Sequence, residues 1–384
     1  KDLRKLENAE IFTRKALEIN PNIGIANSNL GNILKDLGNL KEAEIHIRKA
    51  IEIQPNLAEA HLILGSIFID RLNYQEAELH IRKAIKLEPN LLTSYLYMGT
   101  ILRETGDLGQ AKSFIMKAIE IKPNFKDAFL ALHKLSNSLD EAEKYINKCL
   151  EIDNEFIEAK YNLCAIKLHQ GERSIIDKSK GEKEKGDVLM SSIEWVSKLK
   201  ETPKLFFNKW ALYKHLINQS NKDRTFYEFG VCRGVSFKFL IKSFKNGYGF
   251  DTFEGLPEAW NNKYKQGSFS AEGIIPEIDS GTFVVGKFKD TLPVFFSKER
   301  PIAGIVNFDA DLYSSTICAL NNSKSVIDEQ TILIFDDFLN NTNWKQYEYK
   351  ALNDFCNKNN FRFKVIAISY CTRQVAIKLI KKDK

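Results

Sequence analysis

The C-terminal half of the chain spaces its acids and glycines in a way that could do chemistry. Asp309-Ala310-Asp311 and Asp336-Asp337 each follow a short apolar run, Ala303 to Phe308 and Thr331 to Phe335, of the kind that forms a buried strand. If those runs are neighbouring parallel strands, four carboxylates converge at the carboxyl edge of a sheet, where ligands bind in open α/β folds. Carboxylates held that close ionise together only around a cation, and hard oxygen donors favour Mg²⁺. Helix capping competes for any single one of them, Asp311 above all, because Ser314 to Asp328 reads as a helix.

A second group lies upstream. Tyr227-Glu228-Phe229-Gly230-Val231-Cys232-Arg233-Gly234 reads as a strand, from Thr225 to Phe229, running into a glycine turn that opens a helix with Phe237, Leu240, Ile241 and Phe244 on one face. Gly230 permits the tight turn and Gly234 a close approach to the first helical residues. Asp251 ends the next strand, 23 residues after Glu228, where an acid can take both ribose hydroxyls of an adenosine cofactor. Cys232 and Val235 stand where a nicotinamide-binding turn needs glycines. S-adenosylmethionine has no pyrophosphate to cradle and tolerates such a turn. Glu228 suits the positively charged end of that molecule.

These residues need a sheet to position them. Further strands are expected at Tyr248 to Phe250, Phe283 to Val285, Phe363 to Ser369 and Gln374 to Ile380, the last two joined as a hairpin. Five alternating strands and a terminal hairpin predict a Rossmann-like α/β domain with a seven-stranded sheet of the class I methyltransferase type, the hairpin inserting one antiparallel strand. Helical patterning from Asp187 to Asn221 is expected to pack over the mouth of this domain. The stretch from Gly171 to Gly186, GERSIIDKSKGEKEKG, reads as a charged linker. The expected organisation is a helical solenoid over 1–170, a linker over 171–187 and the α/β domain over 188–384.

Within the first part, Pro21, Pro55, Pro89 and Pro123 recur every 34 residues, each followed by Asn. Ala9, Ala43, Ala77 and Ala111 keep that register, as do Ala16, Ala50, Ala84 and Ala118, and so do Gly31, Gly65 and Gly99. The pattern resembles the tetratricopeptide repeat, which implies an α solenoid whose groove takes a protein or peptide partner. His61, Tyr95 and Phe129 share one repeat position, with intra-stack packing expected over groove lining. From Ala111 to Ala142 the spacing drops to 31 and His133 replaces the glycine, so the fourth repeat should have a shortened turn. Ile157 to His169 is expected to cap the stack. Leu3 to Ile19 matches only the second half of a repeat, which leads to the expectation of a longer array.

With 384 residues, 43% of them hydrophobic, the chain can fill two or three separate cores. A net charge of +6 with both signs interspersed argues against a nucleic-acid partner. The six cysteines lack metal or redox spacing and no apolar run is long enough to span a membrane, so a cytoplasmic protein with reduced cysteines is expected.

Glu228-Phe229-Gly230-Val231, Phe250-Asp251-Thr252-Phe253-Glu254-Gly255-Leu256-Pro257 and Asp309-Ala310-Asp311-Leu312-Tyr313 together resemble the macrocin O-methyltransferase family over residues 188–384. The resemblance implies S-adenosylmethionine and Mg²⁺ as cofactors and a hydroxyl-bearing acceptor, a sugar or glycan. It implies Asp309, Asp336 and Asp337 as metal ligands, Asp311 as general base, Asp251 as ribose-binding acid, and Gly230 and Gly234 around the methionine end. The polar stretch from Pro257 to Gly281 has no counterpart in the pattern. Two other readings remain open: a glycosyltransferase that uses the DxD acids to hold a metal, and a repeat adaptor whose α/β domain is a relic.

Overall fold

The computed structural model describes residues 3–175, 188–261 and 264–382. The chain divides into two compact units, residues 1–131 with 261–269, and residues 132–260 with 270–384.

The first unit is a run of antiparallel helices: Leu3–Ile19, Gly24–Asp36, Leu40–Ile53, Ala58–Asp70, Tyr74–Leu87, Leu92–Thr105 and Leu108–Ile121. Three of the longer helices start the same way, with Asn39, Asn73 or Asp107 accepting from the backbone N–H three residues on, so an otherwise unpaired donor is satisfied at each entry. Within each pair the helices cross at a glycine. A Cβ on Gly31, Gly65 or Gly99 would sit 2.5–2.6 Å from the Ile47, Ile81 or Ile115 side chain, which would have to shift to admit it. Ala43, Ala77 and Ala111 line the same fully buried seam.

The shared repeat position proves structural. Asn27 Nδ2 donates to the Pro21 carbonyl at 3.0 Å, His61 Nε2 lies 3.1 Å from the Pro55 carbonyl, and Tyr95 Oη donates to the Pro89 carbonyl at 2.8 Å. Three unlike side chains thus pin the same turn. Because His61 Nε2–H is turned to Pro55, the proton between His61 Nδ1 and His80 Nδ1, 3.1 Å apart, belongs to His80.

The shortened repeat spans the division at 131/132. Residues 126–133 make a helix of only 8 residues, and Leu139–Ile152 follows behind a Ser138 cap. The expected capping helix, Ile157–His169, is buried nearly all round: Tyr161, Cys164, Ala165 and Leu168 share one core with Met190, Ile193, Val196 and the sheet residues. It is therefore part of the α/β unit's core. Of the expected linker, 176–187 lies outside the described residues.

The sheet has eight strands: β1 Lys204–Leu205, β2 Thr225–Phe229, β3 Gly247–Asp251, β4 Gly281–Val285, β5 Ala303–Phe308, β6 Ile332–Phe335, β7 Phe361–Ile368 and β8 Val375–Lys381. Their order is β1-β7-β8-β6-β5-β2-β3-β4. β8 runs antiparallel between β6 and β7, as the hairpin predicts, and every other pairing is parallel. The expected count of seven is corrected by β1, a two-residue edge strand too short to show periodicity. Helices Val235–Leu240, Phe288–Phe296, Tyr313–Ser323 and Glu348–Lys358 make the crossovers. No membrane-spanning helix, by length and apolarity, occurs among the described residues.

Candidate ligand site at the carboxyl edge of the sheet

Strand register assembles the site. Phe250, Phe229, Phe308 and Phe335 are paired side by side across β3, β2, β5 and β6, with ring centroids 4.9, 5.3 and 4.9 Å apart in turn. The residue after each phenylalanine is Asp251, Gly230, Asp309 and Asp336. Backbone bonds carry the register through the edge: Gly230 N–H to the Phe250 carbonyl, Asp309 N–H to Phe229 and Asp336 N–H to Phe308, at 2.8–2.9 Å. The strand order reverses direction between β2 and β5, so this edge is a topological switch point.

Gly230 has φ 89°, and a Cβ there would lie 1.8 Å from the Asp309 carbonyl oxygen. The turn and the first acid pack backbone to backbone. Gly234, φ 73°, opens the following helix against Pro276 and Ile278.

Asp251 is heavily engaged. Its Oδ2 accepts from Val231 N–H and Cys232 N–H, both at 2.7 Å, and its Oδ1 accepts from Phe253 N–H at 2.8 Å. It therefore braces the opening turn from the neighbouring strand, and any ribose hydroxyl would have to share oxygens already in use.

Glu228 is fully buried on the opposite face from the phenylalanines. Its Oε1 accepts from Ser236 Oγ at 2.5 Å and from Asn307 Nδ2 at 2.8 Å, while Oε2 has no partner. Burial pushes its pKa up to about 8, against the pull of those two hydrogen bonds.

Asp309, Asp311, Asp336 and Asp337 are brought to one patch, and Glu348 joins them from the first turn of its helix, its Oε2 accepting from Asp337 N–H at 3.1 Å. Burial and then the neighbouring carboxylates hold Asp309 and Asp311 far above the ordinary carboxylate range. A side-chain hydrogen bond with Asp337 adds to the rise of Asp311. Burial and Asp337 raise Asp336 to about 6, with Lys209 and Gln374 pulling it down. Arg373 Nη1 pairs with Asp337 Oδ1 at 2.9 Å, and Asn341 bonds the same residue. Capping does not account for Asp311: helix Tyr313–Ser323 is capped by Leu312, with no side-chain bond, and Asp311 sits in the left-handed region at φ 57°.

As donors, Asp309, Asp336 and Asp337 suit a hard divalent cation, and their mutual repulsion is what such a cation would relieve. In the described conformation they do not stand at ligand spacing: among the described residues no three His, Cys, Asp or Glu side chains form a metal-holding group.

Several residues at this edge were missed by sequence reasoning. Gln374 bridges Asp336 to the Tyr213 hydroxyl, to which it donates at 3.0 Å, and Tyr213 comes from helix Lys209–Gln219. Arg373, Gln374 and Glu348 lie in a turn and a helix start with no motif around them.

Four segments, 26–57, 58–91, 92–125 and 131–156, match the family model described as Tetratricopeptide repeat. The N-terminal helices are tetratricopeptide repeats. No curated protein matches the chain. Among solved structures, the chain is similar to YrrB, described as a TPR protein with an unusual peptide-binding site, at 24% identity over 44% of this chain and 90% of that one, TM-score 0.34. It is also similar to MamA, at 27% identity over 40% and 91%, TM-score 0.35, and to PilF of Pseudomonas aeruginosa, at 19% over 50% and 90%, TM-score 0.42.

Proposed function

We propose that the α/β unit is an S-adenosylmethionine-dependent O-methyltransferase that uses Mg²⁺ and acts on a hydroxyl of a sugar or glycan, and that the repeats dock a protein or peptide. The observation that carries the enzyme reading is the phenylalanine register, which sets the opening turn, Asp251, Asp309 and Asp336 side by side at the switch point. The repeat reading rests on the tetratricopeptide segments and the extended face such arrays present.

In this reading the donor would supply an already activated methyl, and a divalent cation, if Asp309, Asp336 and Asp337 closed to ligand spacing around it, would supply Lewis acidity to the acceptor. The chain's own contribution is placement. Gly230 and Asp251 shape the turn over which the donor would lie, Tyr213 and Gln374 orient Asp336, and Asp311, whose proton is held by burial and the neighbouring carboxylates, would take the acceptor's proton only once a cation offsets those charges.

One observation favours a second reading. Asp337 is paired with Arg373 and Asp251 is engaged by three backbone N–H groups, the state expected of an edge that no longer binds ligand, which would leave the repeats as the working part.

Equilibrium unfolding followed by tryptophan fluorescence separates the readings, because Trp195, Trp210, Trp260 and Trp344 all belong to the second unit. A donor present at 100 times its Kd should stabilise that unit by about 2.7 kcal/mol. S-adenosylmethionine and nucleotide sugars, each with and without Mg²⁺ or Mn²⁺, are the ligands to compare. Stabilisation by S-adenosylmethionine supports the methyltransferase, by a nucleotide sugar with metal the glycosyltransferase, and by none the adaptor. Given a donor and acceptor, chelation should abolish transfer and Asp336→Asn should do the same while donor binding survives.

A further inference from the structure

Two adjacent residues of one turn hold two adjacent acids. The turn from β7 into β8 ends on Arg373 and Gln374. Arg373 Nη1 stands 2.9 Å from Asp337 Oδ1 and donates to Asn341 Oδ1 at 2.7 Å, while Asn341 Nδ2 donates to the same Asp337 oxygen at 3.2 Å. Gln374 Nε2 donates to Asp336 Oδ1. The backbone that carries both residues is tied to the segment just after the acids: Leu339 N–H donates to the Arg373 carbonyl at 3.0 Å, and Asn340 Nδ2 to the Tyr370 carbonyl at 2.7 Å. The two side chains differ in freedom. Gln374 is buried, whereas the Arg373 side chain is 45% exposed above an Asp337 side chain that is 10% exposed. Arg373 can therefore leave Asp337 by turning into water while the turn stays where it is.

Charge gives that movement a meaning. Clustered carboxylates need a positive charge to offset their repulsion, and a guanidinium stays charged at any working pH. We propose that Arg373 is a self-inhibitory latch: its guanidinium takes the place at Asp337 that a divalent cation would take, and cation binding at this edge requires it to swing out. This rests on the Mg²⁺ reading and deepens it. It accounts for acids that do not stand at ligand spacing, since Asp337 is held by Arg373 and Asn341 and Asp336 by Gln374. The pairing of Asp337 is then a closed state of a working edge.

Titration of the full chain with Mn²⁺ alone, the free ion counted by electron paramagnetic resonance, tests the latch. Arg373→Gln should tighten Mn²⁺ binding by about 5- to 20-fold, because the competing charge is gone. Arg373→Lys keeps the charge without the planar fork and should gain less. Lys209→Gln removes an equal charge that acts on Asp336 and should change the affinity by less than about threefold. Adding Asp336→Asn to Arg373→Gln should abolish the gain; a gain that survives lies elsewhere and overturns the latch. In urea unfolding read by tryptophan fluorescence, Arg373→Gln should be less stable than wild type without Mn²⁺ and gain more from the same Mn²⁺ concentration, which also shows that the variant is folded. Equal tightening by Arg373→Gln and Lys209→Gln would reveal only a general field and overturn the latch, as would unchanged or weaker binding to Arg373→Gln; the metal reading survives either result. Failure of wild type and Arg373→Gln alike to bind Mn²⁺ overturns both.

Discussion

Replacing Glu228 with Gln isolates the cost of a buried carboxylate. In the folded unit the pKa of Glu228 is about 8 against an ordinary 4.5, because burial disfavours the charge and Oε2 has no donor facing it. A carboxyl whose folded pKa is raised holds its proton in the native state after the unfolded chain has released it. Its contribution to stability is therefore complete below pH 4.5 and is lost as pH rises toward 8. Across that window the loss is about 1.4 kcal/mol per pH unit, or roughly 3 kcal/mol between pH 5 and pH 7. Glutamine keeps the acceptor for Ser236 and Asn307 and leaves an unpartnered NH₂ in place of Oε2, a pH-independent cost of about 1–3 kcal/mol. The variant should be the less stable protein at pH 5 and close the gap, or reverse it, by pH 7. Urea unfolding read by tryptophan fluorescence, without ligand, should show the midpoint difference move by about 1 M or more over that range. The strand-end acids titrate in both proteins and largely cancel in the comparison. Parallel stability curves from pH 5 to pH 8 would refute the claim that Glu228 carries this penalty.

Other perturbations test the packing that holds the edge. Gly230→Ala drives a Cβ into the Asp309 carbonyl and should cost more than about 4 kcal/mol or prevent folding of the second unit, whereas Gly234→Ala meets movable side chains and should cost about 1–3 kcal/mol; urea titrations that rank them the other way contradict the register. A fragment of residues 188–384 lacks the buried face of Tyr161, Cys164 and Leu168 and should be at least about 3 kcal/mol less stable than residues 126–384. Equal urea midpoints for the two fragments would mean that helix Ile157–His169 is dispensable to that core. Tyr95→Phe removes the bond to Pro89 and should cost about 1 kcal/mol, seen as faster amide exchange in helix Leu92–Thr105.

The repeats were legible in the sequence because each contact that defines them is local and periodic. Glycine at one helix crossing, alanine along one seam and proline after one helix recur every 34 residues, and the physical demand recurs with them. The main strands were legible for a related reason: runs such as Ala303–Phe308 are apolar enough to be buried on both faces. The phenylalanine before each of Gly230, Asp251, Asp309 and Asp336 was visible too, but its meaning depended on which strands are neighbours and in what register. Those are properties of long-range hydrogen bonding, which no local pattern encodes. Only the tertiary structure could show that Asp251 spends both oxygens on backbone N–H groups, that Gln374 meets Tyr213 from 161 residues away, or that Arg373 occupies Asp337. The sequence pattern marked helix Ile157–His169 as an amphipathic cap on the repeat stack, whereas it is buried nearly all round. The pattern could not say that the surface burying it belongs to the sheet unit, because an apolar face specifies that it leaves water and does not specify its partner.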